Sequence, residues 1–405
     1  MKKFVKFAAA VLAVTIVAVT ALSIFGHGGE DYSFSYGEYY NEIAAMENDF
    51  ESAIEVAEQA AASPVNVGAT SALGYVIVTD YLPNDGKTDV ADALQAVIDA
   101  NPNRTIYFPD GIYLISKPIC TPADPRKSVD LQLSNYAVIR AAENWSSDEA
   151  MIRLGGKDAA NDTHTPGSNY SLTGGIIDGS GKANGISIDS GRETMIQKVS
   201  IKHTPIGIHV KYGANSSSSD ADISDINIIG TGGTDSIGIF VEGFDNTFTN
   251  IRIGNVFTGV YLKSCANSLR NIHPLYYSDY TDYENSCGFL DEGGNNVYDF
   301  CYSDQFCIAF RIVGTRSSIY DNCFCFWYSA AGGREIAFET DGKFNSVVTN
   351  FRTGFRGDTK NSVLVVGEAG GYGVFDNLLT GSVSDITHNL YKKEGLIWMI
   401  RSIFI

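Results

Sequence analysis

Two adjacent carboxylates, Asp291 and Glu292, sit in the run CGFLDEGG at 287–294. Such a pair can move protons, hold a cation or simply finish a strand, and the surrounding chain decides which. The run is one copy of a repeated unit, small-apolar-x-apolar, that starts at Gly185, Gly207, Gly238, Gly259, Gly288, Ala309, Ala337 and Ser362. If each copy is a strand, its side chains alternate between two faces. The apolar residues then point inward. The outward columns read Ser187/Asp189, His209/Lys211, Phe240/Glu242, Tyr261/Lys263, Leu290/Glu292, Arg311/Val313, Glu339/Asp341 and Leu364/Val366. With copies stacked ~4.8 Å apart, one face presents five acids, three Lys or Arg cations, a histidine and aromatic rings. That mixture suits sugar rings, hydroxyls and uronates; the plain alternative is a solvated sheet face of mixed sign.

The two carboxylates are not equivalent in this register. Glu292 falls on the outward acid-and-lysine column. Asp291 falls in the column of Ile188, Val210, Val241, Leu262, Ile312 and Val365, where a carboxyl needs hydrogen-bond partners or a raised pKa. A bulge before Gly293-Gly294 would instead turn both acids outward. Two aromatic loops, His273–Ser286 and Phe326–Glu335, add Tyr, Trp and acids to the same region.

The elements that must position these residues show in a second repeat. An apolar-x-Asp/Asn unit carries Asp225, Asn250, Asn271, Asp299, Asp321, Asn350 and Asp376, at steps of 21 to 29 residues. One coil of a three-sided solenoid plus loops has this length. Stacked Asn and Asp at a bend read as turn residues that hydrogen-bond along the ladder. The two units alternate in phase, which predicts an all-β, single-stranded, right-handed parallel β-helix over roughly residues 105–385.

Upstream, VTDYLPNDGKTDVADALQAVIDANPNRTIYFPDGIYLIS at 78–116 reads as strand, Gly-containing loop, helix and strand. The helix runs from about Asp89 to Ala100, capped by Thr88 or Asp89, with Val90, Leu94, Val97 and Ile98 on its apolar face. This stretch resembles the entry of the pectate-lyase-like superfamily, in the rhamnogalacturonase/epimerase-like branch. The matching pieces are Asp80-Tyr81, Asp85–Asp89, Ala93–Asp99 and Tyr107–Tyr113. The resemblance implies that the helix caps the β-helix and that a polysaccharide or oligosaccharide is the partner. GGIIDGSG at 174–181 is similar to a polygalacturonase segment, with Asp178 as a turn residue. The acids, Gly-His-Gly and R-x-K of polygalacturonases have no counterparts at the matching coil starts, nor does the R-x-P-x-x-R stretch of pectate lyases.

Two catalytic chemistries fit the outward columns. For glycoside hydrolysis, Glu292 is general acid or base with Glu242 or Glu339 as partner, and Asp291 joins them if the bulge forms. Either partner is two coils away, ~9.6 Å, near the ~6.5–9.5 Å of inverting glycosidases. His209, Lys211, Phe240, Tyr261, Lys263, Arg311 and Asp341 would hold substrate. For a lyase, Lys211, Lys263 or Arg311 abstracts the proton next to a uronate carboxyl, and calcium would enter only with that chemistry. The excess of acids over cations favours hydrolysis, with no metal or cofactor. A non-catalytic carbohydrate-binding or adhesion solenoid is the third reading, and a tailspike-like fibre a fourth that the export signal disfavours.

The remaining features bound these readings. A net charge of −18 over 405 residues argues against nucleic acid or an anionic membrane surface as the main partner, and weighs against a strongly polyanionic substrate outside a local basic groove. Residues 1–26 have three lysines before the apolar run Phe7–Phe25, which predicts an export signal or N-terminal membrane anchor and a chain outside the cytoplasm, secreted or anchored to the cell surface. Residues 27–73 read as a helical spacer, with Ile43, Met46, Phe50, Ile54 and Ala57 at helical spacing, and a linker; 74–405 is one β-helix domain. The seven cysteines contain no zinc pattern and read as stacked buried thiols. The final GLIWMIRSIFI is out of pattern and reads as a cap on the last coil.

Overall fold

The computed structural model of the protein describes residues 74–159, 170–276, 283–314, 316–327, 335–355, 363–368, 372–377, 379–380 and 399–401. All fall in one compact unit, Ala60–Ile405. Residues 1–73, which hold the expected export signal and helical spacer, and residues 277–282 and 328–334 of the two aromatic loops lie outside the described residues.

The apolar positions of the small-apolar-x-apolar unit do point inward, and they stack coil on coil. Ile186, Ile208, Ile239, Val260, Phe289, Phe310, Phe338 and Val365 form one continuous register. The Phe289 and Phe310 rings lie 4.8 Å apart and nearly parallel, and Phe310 and Phe338 5.1 Å apart. Burying each such ring stabilises the solenoid by ~1.5–3 kcal/mol. The strands form a ten-stranded parallel sheet, from Ile119–Pro122 through Asn184–Ile188, Cys287–Asp291 and Ile308–Ile312 to Val363–Glu368. A 22-stranded sheet wraps the other two sides. It is continuous because Asp222–Gly230, Thr247–Gly254 and Ser268–Leu275 run through the corner between those sides. The protein is a right-handed parallel β-helix.

A column of glycines keys the ten-stranded side. A Cβ on Gly185, Gly207, Gly238 or Gly259 would come within 2.4–2.5 Å of the carbonyl oxygen of the next glycine in the column, the last being Gly288. The small residue of the repeat is therefore required by close backbone approach.

The corner between the other two sides corrects the register of the Asp/Asn unit. After Gly174 and Lys198 in the earlier coils, the left-handed position is held by Asp225, Asn250, Asn271, Phe300, Asn322, Asn350 and Asn377, with φ between 51° and 58°. Asp299, Asp321 and Asp376 precede it by one residue, on strands that pair with Arg270 and Thr349. Asn and Asp tolerate this conformation, which explains the column. Their amides run along the ladder: Asn250 Nδ2 donates to Asp225 Oδ1 at 3.1 Å, Asn271 Nδ2 to Asn250 Oδ1 at 2.9 Å, and Asn377 Nδ2 to Asn350 Oδ1 at 2.6 Å. Phe300 interrupts it.

A second ladder is buried. Asn246, Asn267, Asn296, Ser318 and Ser346 each stand two residues before an inward apolar residue and accept a backbone N–H from the coil before. These bonds satisfy a corner that would otherwise hold orphan donors.

Smaller corrections concern the ends. Helix Ala91–Ala100 buries Ala91, Leu94, Val97 and Ile98, and Asp89 Oδ1 accepts from Ala91 N at 3.1 Å. The expected loop at 85–89 is an irregular strand against Gly111–Ile115, folded over the Asp85 carboxylate, which accepts from Lys87 N and Thr88 N. In the last coil Val366, not Leu364, pairs with Glu339. Met399–Arg401, within the expected cap, pairs with Val374–Asp376 and continues the ladder. All seven cysteines are free; five are buried, Cys120 is half-buried and Cys265 exposed.

Candidate functional site

The outward column of the ten-stranded side is continuous in register: Arg153, Ser187, His209, Phe240, Tyr261, Leu290, Arg311, Glu339 and Val366. The rings of His209 and Phe240 stack at 4.5 Å between centroids, and those of Phe240 and Tyr261 at 4.9 Å. Ring faces are thus turned to one another along the helix axis, and edges meet solvent. What the stack presents is the imidazole edge and the phenol hydroxyl, not a flat aromatic platform.

At the turn beyond each strand stands the second column. His209 Nε2 is 3.0 Å from Glu242 Oε2, and Lys263 Nζ donates to Glu242 Oε1 at 3.2 Å. Lys263 also lies 6.0 Å from the Phe240 ring centroid. Burial holds the His209 imidazole below its ordinary pKa, against the pull of Glu242. Glu292 lies beside the Tyr261 hydroxyl; burial, and then Glu292, raise that phenol's pKa. Glu292 makes no ion pair among the described residues.

Glu242 and Glu292 occupy equivalent places. Glu242 N and Gly243 N both donate to Val210 O; Glu292 N and Gly293 N both donate to Leu262 O. Each glycine is required, since a Cβ would meet Ser218 O at 2.3 Å or Ser264 O at 1.8 Å. One Glu-Gly turn is therefore built twice, two coils apart, with the Lys263 coil between.

Asp291 leaves the candidate set. It stays in register with Leu262 and Ile312, with no bulge, and is 1% exposed. Its Oδ1 accepts from Gly294 N at 2.9 Å and Asn296 Nδ2 at 3.0 Å, and its Oδ2 from Ser318 Oγ at 2.6 Å. The buried ladder changes here from Asn to the shorter Ser, and the Asp291 carboxylate fills the gap. Burial, then Asp291, push the phenols of Tyr298 and Tyr320 well above their ordinary pKa.

The other candidates divide. Glu339 pairs with Arg311 beyond Leu290, away from the Glu242 cluster. Asp341 accepts from Gly314 N, a turn role. Lys211 turns to Glu149, 3.6 Å from Asp189 Oδ2, in a group that sequence reasoning missed. There Arg153 Nε donates to Asp189 Oδ2 at 2.9 Å. Reading the outward column one coil further back, to Arg153 in the strand Ala150–Lys157, would have found it. Among the described residues no group of three or more His, Cys, Asp and Glu could hold a metal ion.

A parallel solenoid with an acid-and-base column on one side defines the class. The family model "Rhamnogalacturonase A/epimerase, pectate lyase-like" matches residues 75–279, and the chain belongs to that family. The match spans the entry segment and the coils carrying His209, Glu242 and Lys263. Solved structures agree in fold. A tailspike protein mutant of E. coli bacteriophage HK620 in complex with pentasaccharide is 11% identical, with TM-score 0.59, over 94% of this chain and 70% of that one. The Azotobacter vinelandii mannuronan C-5 epimerase AlgE4 A-module is 14% identical, with TM-score 0.51, over 82% and 100%. ORF18 of Geobacillus virus E2 is 15% identical, with TM-score 0.54; the match covers 77% of this chain but only 62% of that protein. No curated protein matches.

Proposed function

We propose that the protein hydrolyses a polysaccharide on its ten-stranded side, with Glu242 and Glu292 as the catalytic pair. The observation that carries this is the contrast between two carboxylates on identical turns. Glu242 is oriented by an imidazole and an ammonium, the setting of a base that aims a water molecule. Glu292 meets a phenol hydroxyl and no cation, the setting of an acid that hands a proton to the leaving oxygen. On this reading Glu242 is the base and Glu292 the acid. A separation of two coils, ~9.6 Å, leaves room for the water and implies inversion at the anomeric carbon. His209 and Lys263 position Glu242; the edges of Phe240 and Tyr261 line the groove.

The pentasaccharide bound by the tailspike and the mannuronan acted on by the epimerase support carbohydrate as the substrate class. The lysines before the 7–25 apolar run support export and action outside the cytoplasm; among the described residues no helix is long and apolar enough to cross a membrane. The test is a panel of neutral and acidic polysaccharides assayed for reducing ends and for the ultraviolet absorbance of unsaturated uronates. Reducing ends without absorbance, lost in Glu292→Gln, are expected. Unsaturated product would replace hydrolysis with β-elimination, and binding without either product would leave a non-catalytic solenoid.

A further inference from the structure

The side that follows the Asn corner carries a second column, two residues beyond each left-handed position. Arg252 pairs with His273, Tyr302 with Phe324, and Phe324 with Arg352. The His273 and Tyr302 rings stack at 3.5 Å between centroids and those of Tyr302 and Phe324 at 4.2 Å. Arg352 closes one end, its guanidinium 4.8 Å from the Phe324 ring centroid, and exposed Arg252 stands at the other. Neither arginine forms an ion pair among the described residues, in a chain of net charge −18. On the same side Asp304, 7% exposed, has Oδ2 3.4 Å from His273 Nε2 and an Oδ1 with no partner.

Phe300 breaks the local rule in this coil. Six other coils place Asp or Asn at the left-handed position and two earlier ones place Gly174 and Lys198 there, whereas this one places a phenylalanine at φ 51°, with half its surface exposed. A bulky residue there is strained. It gains little from burial, and its ring lies tilted 6.3 Å from Phe324. The ring is held out where asparagine would fit better and extend the ladder.

We propose that Arg252, His273, Phe300, Tyr302, Phe324 and Arg352 form a second binding surface, for an acidic polysaccharide chain, on a different side of the solenoid from the catalytic groove. The exposed Phe300 ring takes the apolar face of a pyranose. The two free guanidiniums pair with carboxylates along the chain. The inference shares with the catalytic reading only the ligand class, carbohydrate.

The test is affinity electrophoresis of the full chain in polygalacturonate, with dextran as the neutral control, alongside thermal unfolding. Polygalacturonate is expected to retard the protein and dextran not. Phe300→Asn is expected to weaken binding about tenfold while the unfolding temperature stays level or rises. Arg352→Gln is expected to weaken binding several-fold and flatten its salt dependence. Undiminished binding by Phe300→Asn overturns the proposal. So does a fall in its unfolding temperature, which would make the ring a packing element, or equal retardation by dextran. Self-association in sedimentation that Phe300→Asn abolishes would reassign the surface to a second copy of the chain. The two sites fail separately: Glu292→Gln leaves Phe300-dependent binding intact, and such binding without any product would overturn only the hydrolase reading.

Discussion

Two sides of this solenoid carry the same device and differ in what surrounds it. On the ten-stranded side His209 stacks on Phe240 and Tyr261; on the side after the Asn corner His273 stacks on Tyr302 and Phe324. Each imidazole faces a carboxylate, at 3.0 Å for Glu242 and 3.4 Å for Asp304. Burial lowers both imidazole pKa values. The first carboxylate is shared with an ammonium and repeated two coils on by Glu292, whereas the second is buried and not repeated. A ring stack is thus what outward aromatics do on adjacent coils; the ionisable residues at the turns decide whether a side can do chemistry.

The two sides also differ beneath the surface, and the largest expected effect lies there. Asp291, under the first, anchors three donors; under the second lie Cys301, Cys323 and Cys325. Asp291→Ala is expected to cost about 3–5 kcal/mol in chemical denaturation, because it leaves those donors unpaired, whereas Cys325→Ala costs about 1 kcal/mol. Equal costs would erase the contrast.

Activity should divide the two sides next. Glu292→Gln is expected to lower the hydrolysis rate at least ~100-fold, and His209→Ala about tenfold through loss of the group that orients Glu242. His273→Ala should leave the rate within about twofold. A rate loss in His273→Ala matching that of His209→Ala would move the chemistry to the other side.

Acid should bring the two sides together. Both histidines have folded pKa values below the ordinary 6.5, so the unfolded chain binds protons that the folded one refuses. Their contribution is complete above about pH 6.5 and is lost as pH falls through the folded values. Unfolding temperatures followed downward from pH 8 should hold level and then drop. His209→Phe and His273→Phe should each remove part of that drop, and a drop unchanged in both variants would show that other groups cause it.

The smallest effect separates the corner from both sides. Asn271→Ala loses its ladder bond and places alanine at φ 54°, costing about 1 kcal/mol in denaturation without altering the hydrolysis rate.

Much of this was legible in the chain. The small-apolar-x-apolar unit gave the inward register from Gly185 to Ala337, and with it Glu292 outward, but it left open whether a bulge turned Asp291 out. The partners that make a buried Asp291 tolerable were not legible. Asn296 and Ser318 look like ordinary turn residues until three-dimensional stacking brings them to the carboxylate. The corner slipped by one residue in three coils because Asp299, Asp321 and Asp376 are as good turn formers as Asn322 and Asn377, and because a phenylalanine held the place between. That slip hid the second ring stack, which sits two residues past the true corner. The pairings of Glu242 with Lys263 and of Glu339 with Arg311 depend on side-chain reach between coils, which alternation alone does not supply.

The glycine column has a consequence for how such a chain changes length. From Gly185 to Gly288 each coil seats against the next through the same backbone contact, while loops of differing size hang outside it. A deletion or duplication that begins and ends at glycines of this column returns the chain in phase, with every inward residue still inward. A junction placed one residue off within a strand turns that strand over, with its inward residues facing out. The unit of inheritance in this molecule is therefore the coil, and its groove can be lengthened, shortened or reassorted without redesign of the core.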